Sequence, residues 1–168
     1  MRPWGEKILN RELEANKEVK HLLLYIYACI AAGVHFTIES PKSSLLWHIP
    51  EINQLITHNI CTKYDMDMCA HGLKTPSHIR PVEFLKKPTS ILSTFRSLPR
   101  LCVRCPGTHL HTSLGRRERF QHKDGTWTSK IEFAGAYTNQ FCRKLVNLAW
   151  EELGLDASRV EAPQLSRQ

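Results

Sequence analysis

Three short apolar runs, at residues 34–38, 60–68 and 89–95, constrain this chain most, because each is bounded by a turn rich in Pro or Gly. The first runs into IESPKSS, the second (ICTKYDMDM) into CAHG, and the third is opened by KKPT. Helical patterning precedes and follows them, and that alternation places the chain in the α/β class, as one small sheet of about three strands flanked by helices. Residues 34–38 are β-branched and apolar, as expected of a central parallel strand buried on both faces. In open α/β sheets, ligand and catalytic groups gather beyond the carboxyl ends of the strands. Glu39, which follows that strand and precedes a Pro turn, is therefore the first candidate for function.

The flanks carry their own stop and start signals. Ile8, Leu9, Leu13, Val19, Leu23, Ile26, Tyr27 and Ile30 recur at helical spacing, with Asn16 read as the cap of a second helical segment and Gly33 as its left-handed stop. Ser43 or Ser44 can cap a short helix through Trp47, and Pro50 suits the first turn of the next, PEINQLITH. Thr138 caps a last helix whose stripe is Phe141, Leu145, Leu148 and Ala149, and Gly154 ends it. Residues 1–16 then read as an N-terminal segment, 17–153 as a single domain with a loop-rich Cys, His and Arg insert at 99–128, and 154–168 as a fraying tail.

A chain of 168 residues that is 42% hydrophobic and 23% charged can bury one core. The formal charge of +7 is concentrated at residues 80–104, 116–123 and 143–144, which favours a polyanionic partner, DNA or RNA above all. The stretch HLLLYIYACIAAGVHFTI is interrupted by Gly33 and reads as a buried helix entering a buried strand rather than a membrane span, and Met1 is followed by a polar segment instead of a signal peptide. The expectation is an intracellular protein, nuclear or cytoplasmic, with its six cysteines reduced. Cys29 and Cys142 read as small core residues on helical faces.

Three ordered motifs carry a resemblance. IESP at 38–41, DMCAHG at 67–72 and KKPTSIL at 86–92 resemble, over roughly residues 20–115, the second half of the cytosine-5 DNA methyltransferase catalytic domain, in the form found in phage enzymes and polyproteins of mobile elements. The resemblance implies a partial Rossmann-like methyltransferase sheet, with Glu39 as the acid that contacts a flipped base. Ser40 stands where asparagine is usual, and His71 where tyrosine is usual. A carboxylic acid is suited to that task, because a thiolate attacking C6 of cytosine drives negative charge into the ring and a hydrogen-bonded acid relieves it. Lys42, Lys86, Lys87 and Arg96 can supply part of a groove for the phosphates that flank an extruded base. The glycine-rich turn for S-adenosylmethionine and the Pro-Cys nucleophile loop do not occur ahead of Glu39, so the cofactor is expected only if a second chain completes the sheet. Glu39 also has plainer readings, as a carboxylate capping the helix at 43–47 or pairing with Lys42.

CVRCPGTHLH sets Cys102, Cys105, His109 and His111 within ten residues. Two thiolates two residues apart chelate one tetrahedral ion when a tight turn aims both sulfurs the same way, and the imidazoles can complete the shell with zinc as the metal. The alternative is a reduced surface loop whose cysteines pack and whose histidines are exposed. Arg116, Arg117, Arg119 and Lys123 form the densest positive cluster, with Phe120 and Trp127 near enough to stack on bases; a solvated surface is the rival reading. Three functions follow: a catalytically incomplete methyltransferase-like fragment with residual nucleic-acid binding, a zinc-supported nucleic-acid-binding module, or one half of a split methyltransferase.

Overall fold

The computed structural model describes Trp4 and residues 10–155, except residues 77, 80, 113, 116 and 117. It is a mixed α/β structure of small sheets with two or three strands each, packed between helices. The long helix α1 (Asn10–Ala31) runs unbroken through Asn16, whose side-chain amide donates to the Trp4 carbonyl at 2.8 Å instead of capping a second segment. Gly33, at φ 64°, turns the chain out of the helix while the Val34 amide returns to the Cys29 carbonyl at 2.8 Å. That exit consumes the residues read as the start of the first strand, and β1 (Thr37–Pro41) begins three positions later.

Ser44 caps a 3-10 turn at Leu45–His48, and Pro50 opens α2 (Pro50–Thr57), as their side chains favour. The chain then forms β2 (Thr62–Asp67), a 3-10 turn at Met68–His71 closed by left-handed Gly72, β3 (Phe84–Leu85) and β4 (Pro88–Ser93). The order in the main sheet is β1-β4-β2, with β4 antiparallel to both neighbours. β1 and β2 therefore run parallel to each other across a gap bridged by α2, and β4 fills the gap.

The expectation of a central parallel strand at 34–38 is corrected by this order: β1 is an edge and β4 is the centre. The segment between β2 and β4 turns back on itself, with the Met68 amide on the Lys87 carbonyl at 3.1 Å, so β4 must return antiparallel. Thr89 to Ser93 of β4 are all buried because each face of the strand is covered. Ile91 points into a core with Met66, Met68, Leu85, Leu98, Leu101 and Phe141. Leu92 points the opposite way, into a core with Leu23, Ile26, Trp47, Ile52 and Leu55. Helices α1 and α2 cover one face, and α4 (Asn139–Glu152), capped by Thr138 as expected, covers the other.

The Cys, His and Arg insert is loop-rich, but it is woven into the core rather than appended. Leu101 is fully buried, and the Val103 carbonyl accepts from the Asp67 amide at 3.1 Å. Beyond it, β5 (His111–Thr112) pairs in parallel with β3, and β6 (Arg119–Gln121) forms a hairpin with β7 (Trp127–Ser129) that leads into the single-turn α3 (Lys130–Phe133). Cys29 is half-buried and Cys142 is exposed, so Cys142 is not the core residue its helical position suggested. Among the described residues, no helix is long and apolar enough to cross a membrane. The tail expected to fray beyond Asp156 lies outside the described residues.

Candidate metal centre

Cys69, Cys105, His109 and His111 converge, with one ligand atom from each lying within 4.8 Å of the other three. The Cys105 sulfur lies 3.5 Å from His109 Nε2 and 3.3 Å from His111 Nε2, and His111 Nε2 lies 3.3 Å from the Cys69 sulfur. Zinc bond lengths to sulfur and imidazole nitrogen, set at tetrahedral angles, place such atoms about 3.3–3.8 Å apart. These three separations fall in that range, and the set of four can hold a metal ion.

Each ligand is positioned by local structure. Cys69 sits in the 3-10 turn that follows β2, and it is almost fully buried. Cys105 is fixed through its backbone: its amide donates to Asp67 Oδ2 at 3.0 Å, and Arg104 Nε donates to the same oxygen at 2.9 Å. The Gly107 amide donates to the Cys105 sulfur at 3.3 Å, in a turn where Gly107 has φ 75°. His109 stacks on Phe84 at 3.9 Å between ring centroids, and His111 is held in β5 opposite the same Phe84. Burial, reinforced by the neighbouring Cys105 thiol, pushes the Cys69 thiol up to about 11. A cation that supplies positive charge offsets that cost, because metal coordination requires thiolates.

Three of the four ligands expected from the sequence are thus brought together, and Cys102 is not among them. The Val103 amide returns to the Leu101 carbonyl at 2.9 Å, so the chain bends at Cys102, ahead of the segment that carries Cys105. Cys102 accordingly packs against the core with Phe141 and Leu148, and burial pushes its thiol up to about 11. Cys69, 33 positions earlier in the chain, takes its place. Its only sequence signal was its position in a turn directly after an apolar strand.

Glu39 lies in the middle of β1, opposite Ile91, rather than in the turn beyond the strand. It faces α4 and lines a 330 Å³ cavity with Thr37, Ile91, Tyr137, Phe141 and Leu145. Tyr137 Oη donates to Glu39 Oε2 at 2.7 Å, and Lys87 Nζ lies 3.5 Å from Oε1. Both plainer readings of Glu39 are corrected. Ser44 caps the turn at Leu45–His48, and Lys42 pairs at 2.7 Å with Asp65, on the opposite face of the sheet. Tyr137, 98 residues from Glu39 in sequence, carried no local signal.

Asp65 gathers Lys42, Lys63 and Arg104, and it accepts from the Ser90 hydroxyl at 2.6 Å. Burial opposes its charge, but hydrogen bonds from Lys42, Ser90 and Lys63 outweigh that and hold the carboxyl far below the usual carboxylate range. A carboxyl whose value is lower folded than unfolded lends stability above its unfolded value, near pH 4, and that stability is lost as pH falls further. Asp65→Asn is accordingly expected to flatten the fall in melting temperature below about pH 4. An acid limb with unchanged slope in that variant would reject this role.

The basic residues divide in two. Lys42, Lys87 and Arg104 are engaged by Asp65, Glu39 and Asp67. No ion pair among the described residues involves Lys86, Arg96, Arg119 or Lys123, which are all exposed. Arg119 and Lys123 stand on the β6–β7 hairpin beside Trp127, which is 57% exposed. Phe120 points inward against Phe133, so it is a core residue and not a stacking one. Arg116 and Arg117 lie outside the described residues. Comparison with family models, curated proteins and solved structures gives no match to this chain.

Proposed function

We propose that this chain is a zinc-centred nucleic-acid-binding module descended from the second half of a cytosine-5 DNA methyltransferase-like domain, without methyl-transfer chemistry of its own. The convergence of Cys69, Cys105, His109 and His111 carries the reading. Two thiolates and two imidazoles in a closed tetrahedral set suit zinc in a structural role, because no position is left for water or substrate. The ion would tie the turn after β2 to the loop before β5. The Thr112 carbonyl of β5 accepts from the Lys86 amide, and its hydroxyl accepts from Lys130 Nζ, so the metal would also brace α3 and the adjoining hairpin. That hairpin offers Arg119, Lys123 and an exposed Trp127, the combination of cations and aromatic surface that takes single-stranded nucleic acid.

The descent rests on the three motifs and is supported by the placement of Glu39 over a cavity on the sheet face. A glutamate alone transfers no methyl group, and the sequence ahead of it holds neither a Gly-x-Gly turn nor a Pro-Cys loop. A second reading, one half of a split methyltransferase, is favoured by one observation: among the described residues, β1 pairs only with β4, which leaves its outer edge free for a partner's strand. In that reading S-adenosylmethionine is bound by the partner, and a thermal shift of this chain alone on adding the cofactor would count against both readings.

The test of nucleic-acid binding is its dependence on salt. Affinity for single-stranded DNA or RNA should fall steeply with salt concentration, and Arg119→Ala with Lys123→Ala should reduce the log–log slope by about 1.4, at roughly 0.7 per phosphate contact. Binding that is absent, or indifferent to salt, rejects the module.

A further inference from the structure

We propose that Cys69 and Cys105 form a redox pair: a hydroperoxide converts them to a disulfide and expels the metal, and small-molecule thiols reverse the step. The inference rests on the metal reading above and names the regulation of that site.

Three observations lead to it. First, the two sulfurs belong to a set of atoms all within 4.8 Å, and the backbones that carry them are already tied together. The Asp67 amide donates to the Val103 carbonyl at 3.1 Å, and the Cys105 amide donates to the Asp67 side chain at 3.0 Å. A disulfide needs the two β-carbons about 3.5–4.5 Å apart, so segments held this close need only a local adjustment. Second, the two cysteines differ in access. Cys105 is half-buried whereas Cys69 is only 3% exposed, so Cys105 is the one a small oxidant meets first. Redox-sensing sites pair an accessible cysteine with a resolving one in this way. Third, Cys102, the nearest alternative in sequence, packs against the core and is not among the converging ligands.

The roles follow from access. The Cys105 thiolate attacks the hydroxyl oxygen of the hydroperoxide, an S–O bond forms as the O–O bond breaks, and the departing hydroxide, or alkoxide from an organic hydroperoxide, takes a proton from solvent and leaves as water or alcohol. The Cys69 thiolate then attacks the Cys105 sulfenic acid: the S–S bond forms, the S–O bond breaks, and the departing hydroxide takes a second proton from solvent and leaves as water. Two electrons pass from the two sulfurs to the peroxide, and the metal keeps its oxidation state. Both anionic ligands are consumed, and His109 and His111 alone do not hold a tetrahedral ion. The disulfide then joins the same two segments that the metal joined.

The zinc-loaded full chain is treated with stepwise hydrogen peroxide in the presence of a zinc-sensitive dye. Release of one zinc per chain, loss of two of the six free thiols, a Cys69–Cys105 linkage in the peptide map, and recovery of zinc binding after dithiothreitol are expected. Cys102→Ala should behave in the same way. Zinc release with a linkage through Cys102, or with Cys105 driven to sulfinic acid and no linkage to Cys69, overturns the inference. A reduced chain that takes up no zinc overturns the metal reading alone. The linkage is then mapped on the metal-free chain, where its absence overturns this inference as well.

Discussion

Stripping zinc from the reduced chain with a chelator should lower its melting temperature by roughly 8–16 °C. The figure comes from mass action. A ligand present at a thousand times its dissociation constant stabilises the native state by about 4.1 kcal/mol. In a domain of this size each kcal/mol is worth about 2–4 °C. Complete unfolding, as in a zinc finger, is not expected, because the two cores around Ile91 and Leu92 are built without the metal. The loss should be local instead. Amide exchange should quicken at residues 103–112 and 118–130, which lean on the metal loop through Thr112 and Lys130, while α1, α2 and β4 stay protected. Cys69→Ser should reproduce the effect and bind no zinc. Cys102→Ala should keep one zinc per chain and pay only for lost packing, which separates the two cysteines without relying on temperature. Elemental analysis decides the matter: a reduced wild-type chain with zinc near zero, or a Cys69→Ser chain that is fully loaded, defeats the assignment.

The exchange of Cys69 for Cys102 shows where the sequence stops being legible. Signals that act within a turn or two were readable: Gly33 ending α1, Ser44 and Thr138 accepting amide hydrogens at their caps, Pro50 at a first turn, and the clustering of Cys105, His109 and His111. What decided the fourth ligand was the bond from the Asp67 amide to the Val103 carbonyl, a contact between the end of β2 and a loop far from it in the chain. The same limit hid the sheet's polarity, since the return of the chain from β2 into β4 is a matter of tertiary closure. It also explains the mistaken partner of Glu39. Strand alternation puts Glu39 on the α4 face with Ile91, whereas Asp65 lies opposite Ser90 on the other, and each collects the lysine on its own side. Lys42 is close to Glu39 in sequence and on the wrong face.

Breaking the Glu39–Lys87 pair from one side is expected to be the most damaging change outside the metal centre. The two side chains are only 16% and 14% exposed, so neither charge is well solvated once its partner is gone. Tyr137 contributes its hydroxyl to Glu39 and its ring, 5.4 Å from the Lys87 nitrogen, to the cation. Removing one member of such a pair strands the other, at a cost of about 3 kcal/mol. Lys87→Met should therefore lower the melting temperature by roughly 6–12 °C. Tyr137→Phe, which removes one hydrogen bond, should cost only about 1 kcal/mol. The double variant Glu39→Gln with Lys87→Met is the informative one. If the pair is present only to fill the sheet face, apolar or neutral replacements of similar volume should restore most of the lost stability, because a buried ion pair barely repays its own desolvation. A pair kept for a ligand carries a further cost in the same variant. Stability returns while binding of cytosine-containing single strands falls, with the salt slope unchanged because no phosphate contact has been removed. A Lys87→Met chain as stable as wild type would mean that Glu39 has no need of its cation, and the account of this face of the sheet would fail with it.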